Sequence, residues 1–387
     1  MSDEGELTTA QVADYLGVKV QTVYAYVSRG VLAPLRRDPA GGSIFALADV
    51  RELVTGPRAG RRRPATSEDV RTSITEVGAG RLAYRGHDVR NLVGHASFEE
   101  VRALLTGHPE DVEPVRPTPS EEQHLAALLA VLPPGTGLLD RLKHAVLVAR
   151  ATDPGRQDRR PGSVAHAGRR AATFMARAVP GAGTRGSSLG ELLHTALEPC
   201  PGPVVDAGLV LLADHDLAVS TTAVRVAVSS GADPFSALLA GLAAADSPRH
   251  LTSSVQVVDW LGPALTAPQE ALDGALVADR APGFGHVVYT EQDPRAQVLL
   301  KLIRSDVGAQ RWDALRWLEA ELVDRRGWVL TVDVALALLV LTYRLPRWGG
   351  AALFACARTA GWTAHALEEL AEPGMRFRLR GVYSGPR

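Results

Sequence analysis

The chain is short of sulfur, of net charge and of long hydrophobic runs. Only Cys200 and Cys356 occur in 387 residues. Two thiols exclude a disulfide framework and a multi-thiolate zinc site, and they suit a reducing compartment. The net charge is -1, so the whole molecule is no polyanion binder. Any contact with nucleic acid must come from a local basic patch. The longest apolar run, Val334 to Leu341, is far too short to span a membrane. Met1 to Glu6 is acidic and polar and does not read as a secretory signal. A cytoplasmic protein without membrane contact is expected. What is present is ordinary globular material. With 46% hydrophobic and 22% charged residues, the chain has length enough for two or three domains.

The first 55 residues read as a small helical module. Leu7 to Leu16 has Thr8 or Thr9 as a cap, with Val12, Ala13 and Leu16 on one face. Gly17-Val18 makes a turn. Lys19 to Ser28 gives a second helix with Val20, Val23, Tyr24 and Val27 on its apolar side. Two short strands flank Asp38 to Gly42, and Leu47 to Val54 is a third helix. Residues 56–70, with Pro57, Gly60, Pro64 and Arg61-Arg62-Arg63, read as a linker.

The rest, 71–387, is mainly helical with short connectors. Arg71 to Val77 alternates like a strand, and Ser97 with Glu100 forms a capping box before a helix. Helices are expected over 122–132, 138–151, 164–179, 187–197 and 312–323. A long one is expected from Pro203 to Ser220, and Asp233-Pro234 starts another. His87 and His95 read as surface or turn residues.

Three histidines, an arginine and an aspartate stand out in otherwise apolar sequence. They are His215 in Ala213-Asp214-His215-Asp216, His250 after Ser247-Pro248-Arg249, and His286 in Gly283-Phe284-Gly285-His286. Arg295 follows in Asp293-Pro294-Arg295, and Asp333 in Thr331-Val332-Asp333. Such a set suits a site that binds a small dianion and enolises a carbon acid. An aspartate among apolar neighbours is desolvated, which raises its basicity and suits a general base.

The N-terminal module resembles helix-turn-helix modules of the excisionase and mercury-regulator type, whose second helix enters the DNA major groove. The resemblance makes Gln21, Thr22, Tyr24 and Tyr26 candidate groove or backbone contacts. Arg29, Arg36 and Arg37 become candidate phosphate contacts.

The body resembles the citrate synthase family from about Arg71 to Pro386. The matching strings, in family order, are Leu82-Ala83-Tyr84-Arg85-Gly86, Ser97-Phe98-Glu99-Glu100-Val101, the four histidine and arginine stretches above, Thr331-Val332-Asp333, Phe354 to His365, and Arg378 to Gly385. The resemblance implies a helical dimer. Its large domain would take 71–250 and 345–387, and its small domain, about 251–344, would close over the substrates. It implies acetyl-CoA and oxaloacetate as substrates, with no tightly bound cofactor and no metal.

By the same resemblance, Asp333 removes a methyl proton while His250 stabilises the thioester oxygen, and His286 polarises the oxaloacetate carbonyl. His215, Arg295, Arg358 and Arg378 hold the dianion, Arg378 from the neighbouring subunit. His365 would be structural. The family's "gly-pro-leu-his-gly-gly-ala" is altered here: Arg249 replaces leucine, and Leu251-Thr252-Ser253 replace the two glycines and the alanine. Val287 stands where bacterial members usually carry arginine. Three functions follow as expectations. They are citrate synthesis, 2-methylcitrate synthesis from propionyl-CoA, and a transcriptional regulator with a degenerate, ligand-sensing body.

Overall fold

The computed structural model describes residues 6–16, 18–37, 42–55, 70–78, 80–113, 115–183 and 186–377. The chain divides into two compact units, one ending at Arg71 and the other spanning Thr72–Phe377. The linker expected over 56–70 lies, but for Val70, outside the described residues.

The N-terminal unit runs β1 (Glu6–Thr8), α1 (Thr9–Leu16), α2 (Val20–Ser28), β2 (Arg36–Arg37), β3 (Ser43–Ala46) and α3 (Leu47–Thr55). The strands pair antiparallel in the order β1-β3-β2, with Leu7 opposite Phe45 and Arg36 opposite Ile44. Leu7 therefore belongs to a strand, and the helix expected from Leu7 starts at Thr9. The Thr8 hydroxyl accepts the Gln11 N–H at 3.3 Å while the Gln11 side chain accepts the Thr8 N–H at 2.8 Å, a reciprocal cap that sets the start. Leu7, Val12, Ala13, Val23, Leu32, Phe45 and Val50 form the core. So small a core has room for one stripe of α2. Val23 occupies it, and Val20 and Tyr24, expected on the apolar side, are exposed instead.

The larger unit opens with a meander of β4 (Thr75–Gly78), β5 (Arg81–Tyr84) and β6 (His87–Asp88). Of the strand expected over 71–77, only the part from Thr75 pairs. Short α4 (Val89–Leu92) leads to α5 (Phe98–Thr106), capped by Ser97 and Glu100 as expected. Next come α6 (Pro119–Val131), α7 (Leu138–Ala151), α8 (Pro161–Ala178) and α9 (Leu189–Ala196). The α6 helix starts earlier than expected, because Thr118 and Glu121 form a second capping box and Pro119 fits the first turn.

The second half holds α10 (Gly202–Leu212), α11 (Val219–Ser229), α12 (Pro234–Ala245), α13 (Ser253–Ala264) and α14 (Pro268–Ala278). It ends with α15 (Pro294–Ile303), α16 (Ala309–Arg326), α17 (Val332–Tyr343) and α18 (Gly349–Leu370). The helix expected over 203–220 is two helices. Asp216 sits at φ 52, a left-handed conformation that no helix continues through. α18 is buried along nearly its whole length and packs against α5, α8, α10 and α11. It is the axle of one continuous core. No helix among the described residues is long and apolar enough to cross a membrane.

Candidate active site

The last turn of α10 is held open from two sides. The Tyr84 hydroxyl lies 3.1 Å from the carbonyls of Val210 and Leu211 and accepts the Asp214 N–H at 3.3 Å. From the other side, Arg358 on α18 donates its Nε–H to the Leu212 carbonyl at 3.0 Å, and the Gly361 N–H reaches Ala213 O at 3.0 Å. Any side chain at Gly361 would strike Asp214, 2.0 Å from a Cβ built there, so the approach requires glycine. Carbonyls that would be orphaned at a helix end thus find partners, and the chain turns His215 out of the helix.

A glycine turn supplies the second histidine. Gly283 and Gly285 have φ 79 and 84, and a Cβ at Gly283 would lie 2.5 Å from Val334. The turn is tied to the segment that launches α17. The Gly283 carbonyl accepts both the Thr331 N–H at 3.0 Å and its hydroxyl at 2.8 Å, and the Gly285 N–H donates to Val329 O at 2.8 Å. Asp293, the cap of α15, also accepts the Val332 N–H at 2.9 Å. His286, Arg295 and Asp333 are therefore set by one hydrogen-bonded framework.

The histidines are close and neutral. His215 and His286 rings lie 5.5 Å apart, edge to face, and Tyr289 packs 5.5 Å from the first and 4.8 Å from the second. His215 Nε2 and the Tyr289 hydroxyl share a hydrogen bond of 3.0 Å. His286 Nδ1 accepts the N–H groups of Val288 at 3.0 Å and Tyr289 at 3.2 Å. An amide can only donate, so the His286 proton sits on Nε2. His250 Nε2 lies 2.8 Å from Ser220 Oγ, which accepts the Trp362 Nε1–H at 3.2 Å. Among the described residues, His250 Nε2 is the one acceptor at hydrogen-bond distance for the Ser220 hydroxyl hydrogen. That assigns the His250 proton to Nδ1.

Burial and the neighbouring guanidinium groups disfavour positive charge on all three rings. His250 is pushed down to about 4 by burial and then by Arg358. His215 is pushed well below the usual histidine range by burial, then by Arg295 and Arg358, and His286 is lowered by burial and Arg295. Asp333 moves the other way. Burial raises it to about 6, against the lowering effects of Ser253 and Arg295. Its Oδ2 accepts the Ser253 hydroxyl at 3.0 Å.

The two arginines differ. Arg295 is 4% exposed, and its Nε and Nη2 are already bonded to Asp293 at 2.9 and 2.8 Å. Burial works against its charge, but the Asp293 carboxylate more than offsets that and holds the group charged. Arg358 is 1% exposed and stacks 4.3 Å over the Phe354 ring. Both its terminal nitrogens are buried without a hydrogen-bond partner among the described residues. Burial lowers its pKa to about 10, which still leaves it cationic.

His215, His250, His286, Arg295, Arg358 and Asp333 thus form one electrostatically linked cluster. Arg378 lies outside the described residues. His87 and His95 are exposed. His365 is fully buried, taking the Arg225 Nε–H at 3.2 Å and facing Asp214 at 3.3 Å. In the N-terminal unit Gln21, Tyr24, Arg29, Arg36 and Arg37 are exposed, while Thr22 and Tyr26 are half-buried; Arg36 pairs with Glu6. Three side chains of the cluster were given no role from sequence: Tyr289, Ser220 and Ser253. Tyr289 follows His286 by three residues and Ser220 follows His215 by five, so a hydroxyl near a histidine was the available signal. Ser253 was visible only as a replaced alanine. Among the described residues, no group of three or more His, Cys, Asp or Glu side chains is placed to hold a metal ion.

Comparison with known proteins gives a consistent setting. Residues 67–380 match the model of the citrate synthase C-terminal domain, and residues 6–56 that of a helix-turn-helix domain. A Mycobacterium tuberculosis relative named for citrate synthase is 33% identical over 204 residues, 49% of this chain and 53% of its own length. The chain spans about half the length of the curated relatives it matches. The crystal structure of citrate synthase from Thermotoga maritima superposes with a TM-score of 0.67 at 24% identity, covering 82% of this chain and 94% of that one. The Thermoplasma acidophilum enzyme, in ternary complex with carboxymethyl coenzyme A and oxaloacetate, gives 0.65 at 20% identity, covering 83% and 95%. These two structures establish the fold alone.

Proposed function

The chain belongs to the citrate synthase family, and from that premise we propose that it condenses an acyl-CoA thioester with oxaloacetate. The observation that carries the proposal is Arg358. A buried guanidinium without partners for its terminal nitrogens is costly to maintain, and an anionic ligand with carboxylate geometry resolves that cost. Around it stand neutral histidines and one carboxylate of raised pKa. That is the division of roles an enolisation requires.

In this reading Asp333 takes a proton from the carbon next to the thioester carbonyl, the methyl group of acetyl-CoA or the methylene of propionyl-CoA. His250, neutral with its proton on Nδ1, donates a hydrogen bond to the thioester oxygen as it gains charge. The enol carbon attacks the keto carbon of oxaloacetate, polarised by His286 through Nε2–H. Water then cleaves the thioester and releases the free thiol. His215, Arg295, Arg358 and Arg378 hold the dianion, Arg378 across a homodimer. The lobe from about 251 to 344 closes over the larger one, 71–250 with 345–387, and excludes water. Acetyl-CoA is the first candidate thioester and propionyl-CoA the second, and the setting is cytoplasmic.

The test is thiol release on mixing the purified full chain with oxaloacetate and either thioester. Release with one of them supports the reading and names the substrate; no release with either overturns it. A second reading rests on the N-terminal unit, where α2 with its C-terminal cap Arg29, and β2, expose Gln21, Tyr24, Arg29, Arg36 and Arg37. Under it, the module binds DNA and the body senses oxaloacetate or the thioester. Retardation of the protein's own promoter DNA that changes with these ligands favours it; no retardation at low salt removes it.

A further inference from the structure

The substituted loop after His250 places a hydroxyl between the two groups that the proposed reaction needs most. Ser253 is the first residue of α13, and its N–H closes the turn onto the His250 carbonyl at 3.3 Å. Its Oγ contacts that same His250 carbonyl and also Asp333 Oδ2, the latter at 3.0 Å. α13 and α17 pack closely along their lengths, so the bridge joins two rigid elements. A serine hydroxyl has one hydrogen and here two acceptors. It cannot donate to both at once.

Building on the condensation reading above, we propose that Ser253 is a positioning residue whose hydroxyl holds the Asp333 carboxylate ready for proton abstraction and turns away once the proton arrives. While Asp333 is ionised, the hydroxyl donates to Oδ2. Once Asp333 has taken the substrate proton, its O–H donates to Ser253 Oγ, and the serine hydrogen passes to the His250 carbonyl. No bond to carbon changes at Ser253, and the proton count is unaltered. The alanine of the family motif offers no such hydrogen.

The groups around Asp333 are few. From α15, Arg295 and Asp293 act on it with opposite signs. From the start of α13 comes Ser253, and His250 just before it is uncharged at neutral pH. From α18, Arg358 acts on His215 and His250. Among the described residues Ser253 is thus the hydrogen-bond donor that stabilises the Asp333 charge, and its loss shifts the carboxyl upward.

The experiment titrates Asp333 in the full chain by carboxyl carbon NMR, assigned with Asp333→Asn, in wild type, Ser253→Ala and Ser253→Thr. The expected result is a midpoint about one pH unit higher in Ser253→Ala. Ser253→Thr, which keeps the hydroxyl, stays near wild type. The acid limb of thiol release moves in parallel. An unchanged midpoint in Ser253→Ala overturns the proposal, and so does a threonine variant that shifts as far as alanine, since packing and not the hydroxyl would then be responsible. If wild type releases no thiol, the condensation reading fails, yet the titration needs no turnover and still decides the role of Ser253.

Discussion

The two halves of the candidate site are built differently. The half proposed to face an anion, His215, His286, Arg295 and Arg358, sits on fixed supports: the turn after α10, a glycine turn, the first turn of α15 and the interior of α18. Its residues fall in strings that agree closely with the family's. The half that would enolise, His250 and Asp333, joins a buried helix start to a loop in which glycine-glycine-alanine has become Leu251-Thr252-Ser253. Leu251 is buried, and Ser253 bonds to Asp333. The first half combines two guanidinium groups that stay charged with two neutral rings, a setting that tolerates little change. The second depends on the protonation state of two groups, which one added hydroxyl can adjust. A loop substitution that looks like decay in sequence can therefore be a change of tuning.

The sharpest way to break this comparison is to remove the base. Asp333→Asn is expected to lower thiol release by about 10²- to 10⁴-fold and to leave oxaloacetate binding, measured by calorimetry, close to wild type. Loss of both together would mean that the halves are not separable. In wild type the acid limb should report the same group. Asp333 lies at about 6, above the ordinary aspartate range, so the ionised base is lost and the rate falls as pH drops through about 6. His250, at about 4, stays neutral through that window and cannot set the limb.

Much of this could be read from sequence, and the failures have physical causes. The helices expected over 138–151, 164–179, 187–197 and 312–323, both glycines of the His286 turn and the capping box at Ser97 were legible, because each rests on local backbone chemistry; α13, α14, α15 and α18 were not among the expected helices. Asp333 read as a raised carboxylate because its neighbours along the chain are apolar. The helix expected through Ala213-Asp214-His215-Asp216 failed because its break depends on Tyr84 and Arg358, 130 residues upstream and 146 residues downstream of their partners. Leu7 was taken for helix because its strand partner, Phe45, is distant in sequence. The differing engagement of Arg295 and Arg358 could not be foreseen. Asp293, two residues away, occupies one fork, while the other is left open by what three-dimensional packing fails to provide.

That last contrast gives the finer test, made on the anion half alone. Arg358→Gln removes a charge whose terminal nitrogens have no partner among the described residues, and it also removes the Nε bond to Leu212. Charged hydrogen bonds contribute about 1.5–3 kcal/mol each, so loss of one is expected to weaken oxaloacetate binding by about 10- to 10²-fold. The melting temperature of the free protein should hold or rise, because a desolvated cation has been replaced by a neutral group. A scaffold role predicts the reverse, with stability lost and binding kept. Weaker binding at undiminished stability would instead mean that Arg358 is held in the core at a cost to the fold, for the sake of a ligand.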